Sequence, residues 1–412
     1  MQLNNVSFNK RALLSLIVGV IFGILVRNLA IECAAENSGF MQSVSFTGSV
    51  YIALLKMLII PLVLTAIINA IVNLRNHDIS SVSIIAFKII ALLLITTGIA
   101  AVIGGLVANA FHLGAGLELP GATILGDHSN SGVVSTILGM LPSNPVEAMS
   151  SNNVIALVIF AALIGVAALK LHNENKALAE PFIGFIHSAF LVVKKLANMI
   201  IALTPLGVFA LMTQMSISQG LDTLYQMLYF IGAMYIAMMI VILMHITLLV
   251  LVGVNPIIYF KKVYKALLVA FTTRSSFGTM PVTMDVLTNN MKLNPGVANF
   301  APGIGATMGM NACAGIYPAM LVVMTMTILH QPITWETFLI VGLINMMASL
   351  GVSGIPGTAF VAAGVTLSTL GLPYAVVAIV QGVDPIIDMG RTATNINGVM
   401  TAATVTDRTT RL

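Results

Sequence analysis

The chain has 412 residues, 58% hydrophobic and only 8% charged, with a formal net charge of +4; its mean hydropathy is +1.01. No soluble domain of this length has that composition, so the chain reads as a polytopic membrane protein. The only two cysteines, Cys33 and Cys313, stand far apart. A disulfide framework and a cysteine metal motif are thereby excluded, and the basic residues, gathered mostly in short loops, are a topology signal rather than a nucleic-acid surface.

Eight long apolar segments follow one another at 12–31, 48–74, 82–111, 151–170, 180–214, 223–254, 298–329 and 373–403. The first lacks a clear small-residue cleavage site and reads as a membrane helix rather than a removed signal. Several exceed the ~20 residues that cross a bilayer, so tilted or broken helices are expected. Lys10 and Arg11 precede the first segment. Arg75 lies after the second, Lys170 and Lys176 after the fourth, Lys261, Lys262 and Lys265 after the sixth, and Arg408 and Arg411 at the end. The stretch from Asn109 to Val154 has no Lys or Arg. By the positive-inside rule both termini are cytoplasmic and the 109–154 stretch is external.

Two further apolar segments, 256–290 and 334–367, are interrupted at their centres by TTRSSFGTMP and SLGVSGIPGT. Pro281 and Pro356 lie close by. A hairpin that enters and returns would put this irregular backbone at membrane depth, where it is tolerated only when buried in protein or lining a cavity. Paired interruptions point to a binding site at the interface of inverted repeats; the alternative is two kinked helices. The seventh long segment, FAPGIGATMGMNACAGIYPAM, carries Gly303, Gly305, Gly309 and Gly315 with Pro302 and Pro318. Each glycine costs about 1 kcal/mol relative to alanine in a helix. The segment is expected to unwind near Thr307–Asn311 and free carbonyls for a cation; tight packing is the alternative.

The last segment holds Asp384, Asp388, Arg391 and Asn395 at i, i+4, i+7 and i+11, on one helical face. A charge at mid-bilayer costs about 2.5–3.5 kcal/mol. Such charges pair, line a wet cavity or hold a ligand. Arg391 can grip a carboxylate through two parallel hydrogen bonds, or form an internal salt bridge to Asp384 or Asp388. Both hold if Asp384 orients the arginine while Asp388 faces the ligand, where it supplies the charge that a substrate ammonium needs. Arg274 either contacts substrate or bridges to a carboxylate of this helix. His187 and His245, inside predicted spans, read as satisfied core histidines before proton carriers. Cys313 reads as a small packing residue before a redox group.

Four motifs, TRSSFGTMPVTM (273–284), GATMGMNACAG (305–315), ASLGVSGIPG (348–357) and DPIIDMGRTATNING (384–398), resemble the dicarboxylate/amino acid:cation symporters, in that family's order and spacing. The resemblance covers essentially the whole chain. It implies an all-α fold of eight transmembrane helices and two re-entrant helical hairpins with inverted repeats, assembled as a homotrimer in a bacterial inner membrane. It also implies an elevator mechanism: residues 1–80 (helices 1–2) and 113–222 (external loop, helices 4–5) as scaffold, and 81–112 (helix 3) with 223–412 (helices 6–8, hairpins 256–290 and 334–367) as the mobile transport domain. Ser275, Ser276, Met310, Cys313, Gly354, Ile355, Gly357, Asp388, Arg391, Thr392 and Asn395 would hold substrate, with Arg274 and Asp384 in support. Thr307, Met310, Ser349, Leu350 and Val352 would hold one Na⁺, mostly through backbone carbonyls.

The departures narrow the reading. Glutamate transporters carry Asn-Met-Asp-Gly-Thr where this chain has Gly309-Met310-Asn311-Ala312-Cys313. They have an aspartate at Val399 and a tyrosine at Leu93. NACAGIYPAMLVVM and KMLIIPLVLTAIINAIVNL are instead similar to the bacterial L-cystine uptake branch. The resemblance thus implies cation-coupled L-cystine uptake, the alternative being aspartate or glutamate, with Na⁺ or H⁺ as coupling ion and no other cofactor. A channel would need a continuous polar pore, yet the polar residues cluster at one depth. An intramembrane protease would need a catalytic dyad, and Asp384 and Asp388 beside an arginine make a poor one. The chain reads as a transporter and not an enzyme.

Overall fold

The computed structural model describes residues 8–28, 39–73, 79–117, 143–150, 154–219, 222–351, 354, 357 and 359–410. No strand occurs among them. Ile355, Pro356 and Val352, most of the expected external stretch, and Arg75, Arg411 and Cys33 lie outside the described residues. The helices are α1 (Phe8–Asn28), α2 (Gly39–Met57), α3 (Ile59–Val72), α4 (Ile79–Ala110), the short α5 (Pro145–Ser150), α6 (Val154–Glu174), α7 (Lys176–Ala202), α8 (Thr204–Gln219) and α9 (Asp222–Leu251). There follow α10 (Pro256–Thr273), α11 (Ser276–Asp285), α12 (Pro295–Gly305), α13 (Tyr317–Ile328), α14 (Trp335–Ala348), α15 (Ala359–Thr369), α16 (Ala375–Gln381) and α17 (Asp384–Thr410).

Three of the expected continuous spans are broken. The second divides at Leu58 ahead of Pro61, the fifth at Leu203 ahead of Pro205, and the eighth between Gln381 and Asp384 ahead of Pro385. Proline supplies no N–H and crowds the preceding turn, so an apolar run that contains one bends there. Six helical stretches among the described residues are long and apolar enough to cross a membrane: Gly39–Asn69, Ile84–Ala110, Ala156–Glu174, Lys176–Ala202, Tyr225–Leu251 and Asn311–Ile328. The apolar part of α1, Leu14–Asn28, is shorter. The polar α17 is absent from that set, yet nearly every residue from Asp384 to Asp407 is buried. It is enclosed by protein, packed by α4, α9, α10 and α12. Many large apolar side chains on α1, α7 and α9, such as Leu25, Phe185 and Met239, face outward, as lipid-facing residues do.

Both interrupted segments fold as helix–break–helix units. In the first, α10 ends at Arg274, whose left-handed conformation (φ 56°) turns the chain, and Ser275 caps α11 by accepting from Gly278 N at 3.0 Å. An Asn or Ser at such a cap satisfies an otherwise orphaned N–H; Asn255 does the same for the start of α10. The second unit joins α14 to α15, which pack on each other. The two tips meet: the Phe277 N–H and the Ser275 hydroxyl both donate to the Gly354 carbonyl, at 3.2 Å each. Around them, α1 and α2 pack on α8, and α3 packs on α6 and α7.

Candidate functional site

The face of α17 turns inward, and its charges are matched. Arg391 Nη2 donates to Asp384 Oδ1 at 2.5 Å and to Asp388 Oδ1 at 3.1 Å. Asp388 Oδ2 accepts from Arg274 Nε at 3.1 Å and from Gly357 N at 3.3 Å. All four side chains are buried, Arg391 completely. Two guanidinium and two carboxylate groups thus form a neutral buried cluster, the arrangement that offsets desolvation of each charge. Of the alternatives for Arg274, the internal bridge is the one present. Asp388 does not face an open site alone: Arg391 shares it with Asp384.

Arg391 is not fully used. Its guanidinium carbon lies 4.4 Å from the centroid of the Tyr317 ring, a cation–π geometry. Its Nε and Nη1, and the Tyr317 hydroxyl, make no hydrogen bond among the described residues. Buried donors without partners are rare in native structures and call for an explanation.

The glycine-rich segment opens as expected. Between α12 and the wide turn Asn311–Ile316, residues 306–310 are non-helical. Gly309 has φ 66°, and a Cβ there would come within 2.4 Å of Leu93 Cβ, so backbone and packing both require glycine. Asn395 holds the resumed helix: its Oδ1 accepts from Ala312 N at 2.8 Å and Cys313 N at 3.4 Å, and its Nδ2 donates to Cys313 Sγ at 3.0 Å. Asn395 and Cys313 therefore lie together beside the charged cluster. Thr392 and Ser276 are buried, and Ser275 is at the joined tips.

The possible cation ligands are only partly assembled. Thr307 hydroxyl donates to Ile304 O at 3.0 Å, and Ser349 hydroxyl to Met346 O at 2.7 Å. The Met310 carbonyl accepts from Ala314 N at 2.8 Å and Gly315 N at 3.2 Å. The second tip reaches the break at Gly354, where a Cβ would meet Ala306 O at 2.5 Å, and Leu350 packs in the cluster that contains Met308. Val352 and Ile355 lie outside the described residues.

A neutral network surrounds Asn311, one of the two positions where the resemblance implies a carboxylate in sodium-coupled members, and Val399 at the other is apolar. Asn311 Nδ2 donates to Thr96 Oγ1 at 2.9 Å and Thr97 Oγ1 at 3.1 Å. Its Oδ1 therefore accepts from His245 Nε2 at 3.1 Å, while His245 Nδ1 accepts from Asn397 Nδ2 at 3.0 Å. This pattern fixes a neutral tautomer, and His245 is fully buried. It is the satisfied core histidine of the sequence reading. His187 likewise meets Asn69 Oδ1 at 3.2 Å. Val399 packs where a Cβ on Gly305 would meet it at 2.2 Å. The sequence reading missed Tyr317, Asn397 and Gln381; Gln381 lines a narrow cleft with Tyr51, Thr204, Arg274 and Asp384, and its buried Oε1 has no partner among the described residues. Tyr317 and Asn397 lie far along the chain from the Arg391 and His245 they meet, which left no local signal, whereas Gln381 stands only three residues before Asp384.

Residues 8–409 match the sodium:dicarboxylate symporter family. The L-cystine uptake protein TcyP of Bacillus thuringiensis subsp. konkukian is 35% identical, over 99% of this chain and 90% of the relative. An uncharacterized symporter of Haemophilus influenzae is 36% identical, over 96% of this chain and 92% of its own. The TcyP of Bacillus licheniformis is 33% identical, over 100% and 91%.

Proposed function

Because this chain belongs to the sodium:dicarboxylate symporter family, we propose that its substrate is L-cystine and that Arg391 receives one of the substrate's carboxylates. The protein is a multi-pass membrane symporter and not an enzyme. The observation that carries the reading is that the buried donors Nε and Nη1 of Arg391, and the Tyr317 hydroxyl, have no hydrogen-bond partner among the described residues. These two N–H groups lie on different edges of the planar guanidinium, and each can donate a charge-assisted hydrogen bond to a carboxylate oxygen. When substrate enters, Asp388 exchanges its contact with Arg274 for the substrate ammonium, and Thr392, Asn395, Ser275, Ser276, Met310, Gly354, Ile355 and Gly357 enclose the remainder. The sulfur of Cys313 offers a soft neighbour for a disulfide, where a hydroxyl would suit an acidic side chain. The names of the relatives support cystine.

Coupling is to one Na⁺, held mostly by backbone carbonyls near Thr307, Met310, Ser349, Leu350 and Val352, with H⁺ as the alternative ion. Asn311 and Val399 offer a hard cation no carboxylate, and such ions want several oxygen ligands. The substrate crosses by an elevator movement of residues 81–112 and 223–412 against 1–80 and 113–222, in a homotrimer of the bacterial inner membrane with both termini cytoplasmic. The second reading, an aspartate or glutamate symporter, uses the same arginine for a side-chain carboxylate. Uptake of labelled cystine, aspartate and glutamate into proteoliposomes, under separate Na⁺ and proton gradients, separates the two. Cystine uptake blocked by unlabelled cystine supports the first, and aspartate uptake indifferent to cystine supports the second.

A further inference from the structure

Helix α7 spans 27 residues and is apolar enough to cross a membrane, yet it carries Lys194 and Lys195 in its second half. An ionisable residue inside such a helix is costly and is a functional-site hypothesis by default. Lys194 is half-buried, and no carboxylate among the described residues forms a salt bridge with it. Its ammonium instead lies 4.2 Å from the centroid of the Phe277 ring, within the range of a cation–π contact. Phe277 is the second residue of α11, at the tip of the first hairpin. Its own N–H donates to the Gly354 carbonyl of the second tip at 3.2 Å. One residue therefore carries both the tie between the two tips and the contact to α7. Helix α7 packs on α2, α3, α6 and α8, and its Ile201 lines the narrow cleft that also holds Asp384 of α17.

We propose that Lys194 is a positioning residue: its contact with Phe277 fastens the joined hairpin tips to α7 and so sets how readily the binding site opens. A lysine that merely buried its stem would direct its ammonium to water; this one meets an aromatic face at the tip. The tips also cover the charged cluster, because Arg274 and Gly357 both contact Asp388. Loosening them exposes Cys313, which is 7% accessible beside Asn395.

The test uses full-length protein with Cys33→Ser, leaving Cys313 as the sole thiol, and measures its alkylation by a small membrane-permeant maleimide. Lys194→Met and Phe277→Leu should each speed alkylation roughly three- to thirtyfold. The double variant should react no faster than the faster single one, because both remove the same contact. Lys194→Arg, which keeps a cation over the ring, should restore the slow rate. Hydrogen exchange at residues 274–279 gives a second reading free of thiol chemistry, and protection there should fall in the same two variants. Rates within twofold of the parent, unchanged protection, or multiplicative effects of the two substitutions would overturn the proposal. Phe277→Leu removes no charge, so the contact is still tested if Lys194→Met does not fold.

Discussion

Arg391 is the residue on which the account turns. Its Nη2 is committed to Asp384 and Asp388, and its other two nitrogens are buried without partners among the described residues. Arg391→Ala should weaken substrate binding roughly ten- to a hundredfold, because a charge-assisted hydrogen bond contributes about 1.5–3 kcal/mol. Arg391→Lys should recover little, since an ammonium cannot hold Asp384 and Asp388 and also present the separate Nε and Nη1 donors to substrate. Calorimetric titration with substrate checks both, and full affinity in Arg391→Ala would make the arginine purely structural. Asn311 is the second informative residue. Asn311→Asp places a carboxylate among Thr96, Thr97 and His245, where only neutral groups now meet. A buried charge there needs a counter-ion, so uptake by the variant should depend more steeply on Na⁺ concentration than uptake by the parent. An identical Na⁺ dependence would show that this network does not replace a cation site. The charged face of α17 was legible in the sequence because it needs only helical periodicity. The sharing of Asp388 between Arg391 and Arg274, and the Tyr317 ring beneath Arg391, were not, because those partners are brought together only by the fold.

At the scale of elements, the breaks decide the geometry. The unwinding at 306–310 could be read from glycine density, and both hairpin interruptions from their small polar centres. The breaks at Leu58 and Leu203 were hidden inside apolar runs whose hydropathy masked the proline that follows each. The joined tips give the element-level prediction. A methyl group at Gly354 would come within 2.5 Å of Ala306 O and 2.8 Å of Ser276 Cβ. Gly354→Ala should therefore push the second tip off the helix break and raise the substrate concentration for half-maximal uptake several-fold, while leaving the fold intact. Gly116→Ala is the control, although its φ of 77° also disfavours a side chain, because no neighbour lies within 4 Å of its Cβ position. Uptake kinetics of the two variants side by side decide it; equal half-saturation concentrations would mean that the tip does not gate the site.

For the whole molecule, the composition identified the class before any element was placed, and α17 shows why hydropathy alone could not complete the topology. This helix is polar enough to fall outside the apolar spans, yet it is among the most buried elements. Partners on α4, α9, α10 and the 311–316 turn take up several of its polar groups, among them Asn395, Asn397 and Thr401, while Arg391 Nε and Nη1 and Thr406 Oγ1 have none among the described residues. The same burial underlies the coupling claim, because the network of Asn311, His245 and Asn397 is neutral and complete. A reversal potential measured at set Na⁺ and pH gradients should give one cation per substrate, and three Na⁺ per substrate would refute the argument from Asn311 and Val399.

The central claim is that Arg391 and its neighbours hold L-cystine for symport, and competition for uptake tests it most directly. Purified protein in liposomes is given labelled L-cystine under an inward Na⁺ gradient, with unlabelled cystine, aspartate, glutamate or reduced cysteine as competitors. The account predicts strong uptake that cystine abolishes and the other three barely slow, reduced cysteine included, because it lacks the distal carboxylate. Tight aspartate transport with no response to cystine would contradict it.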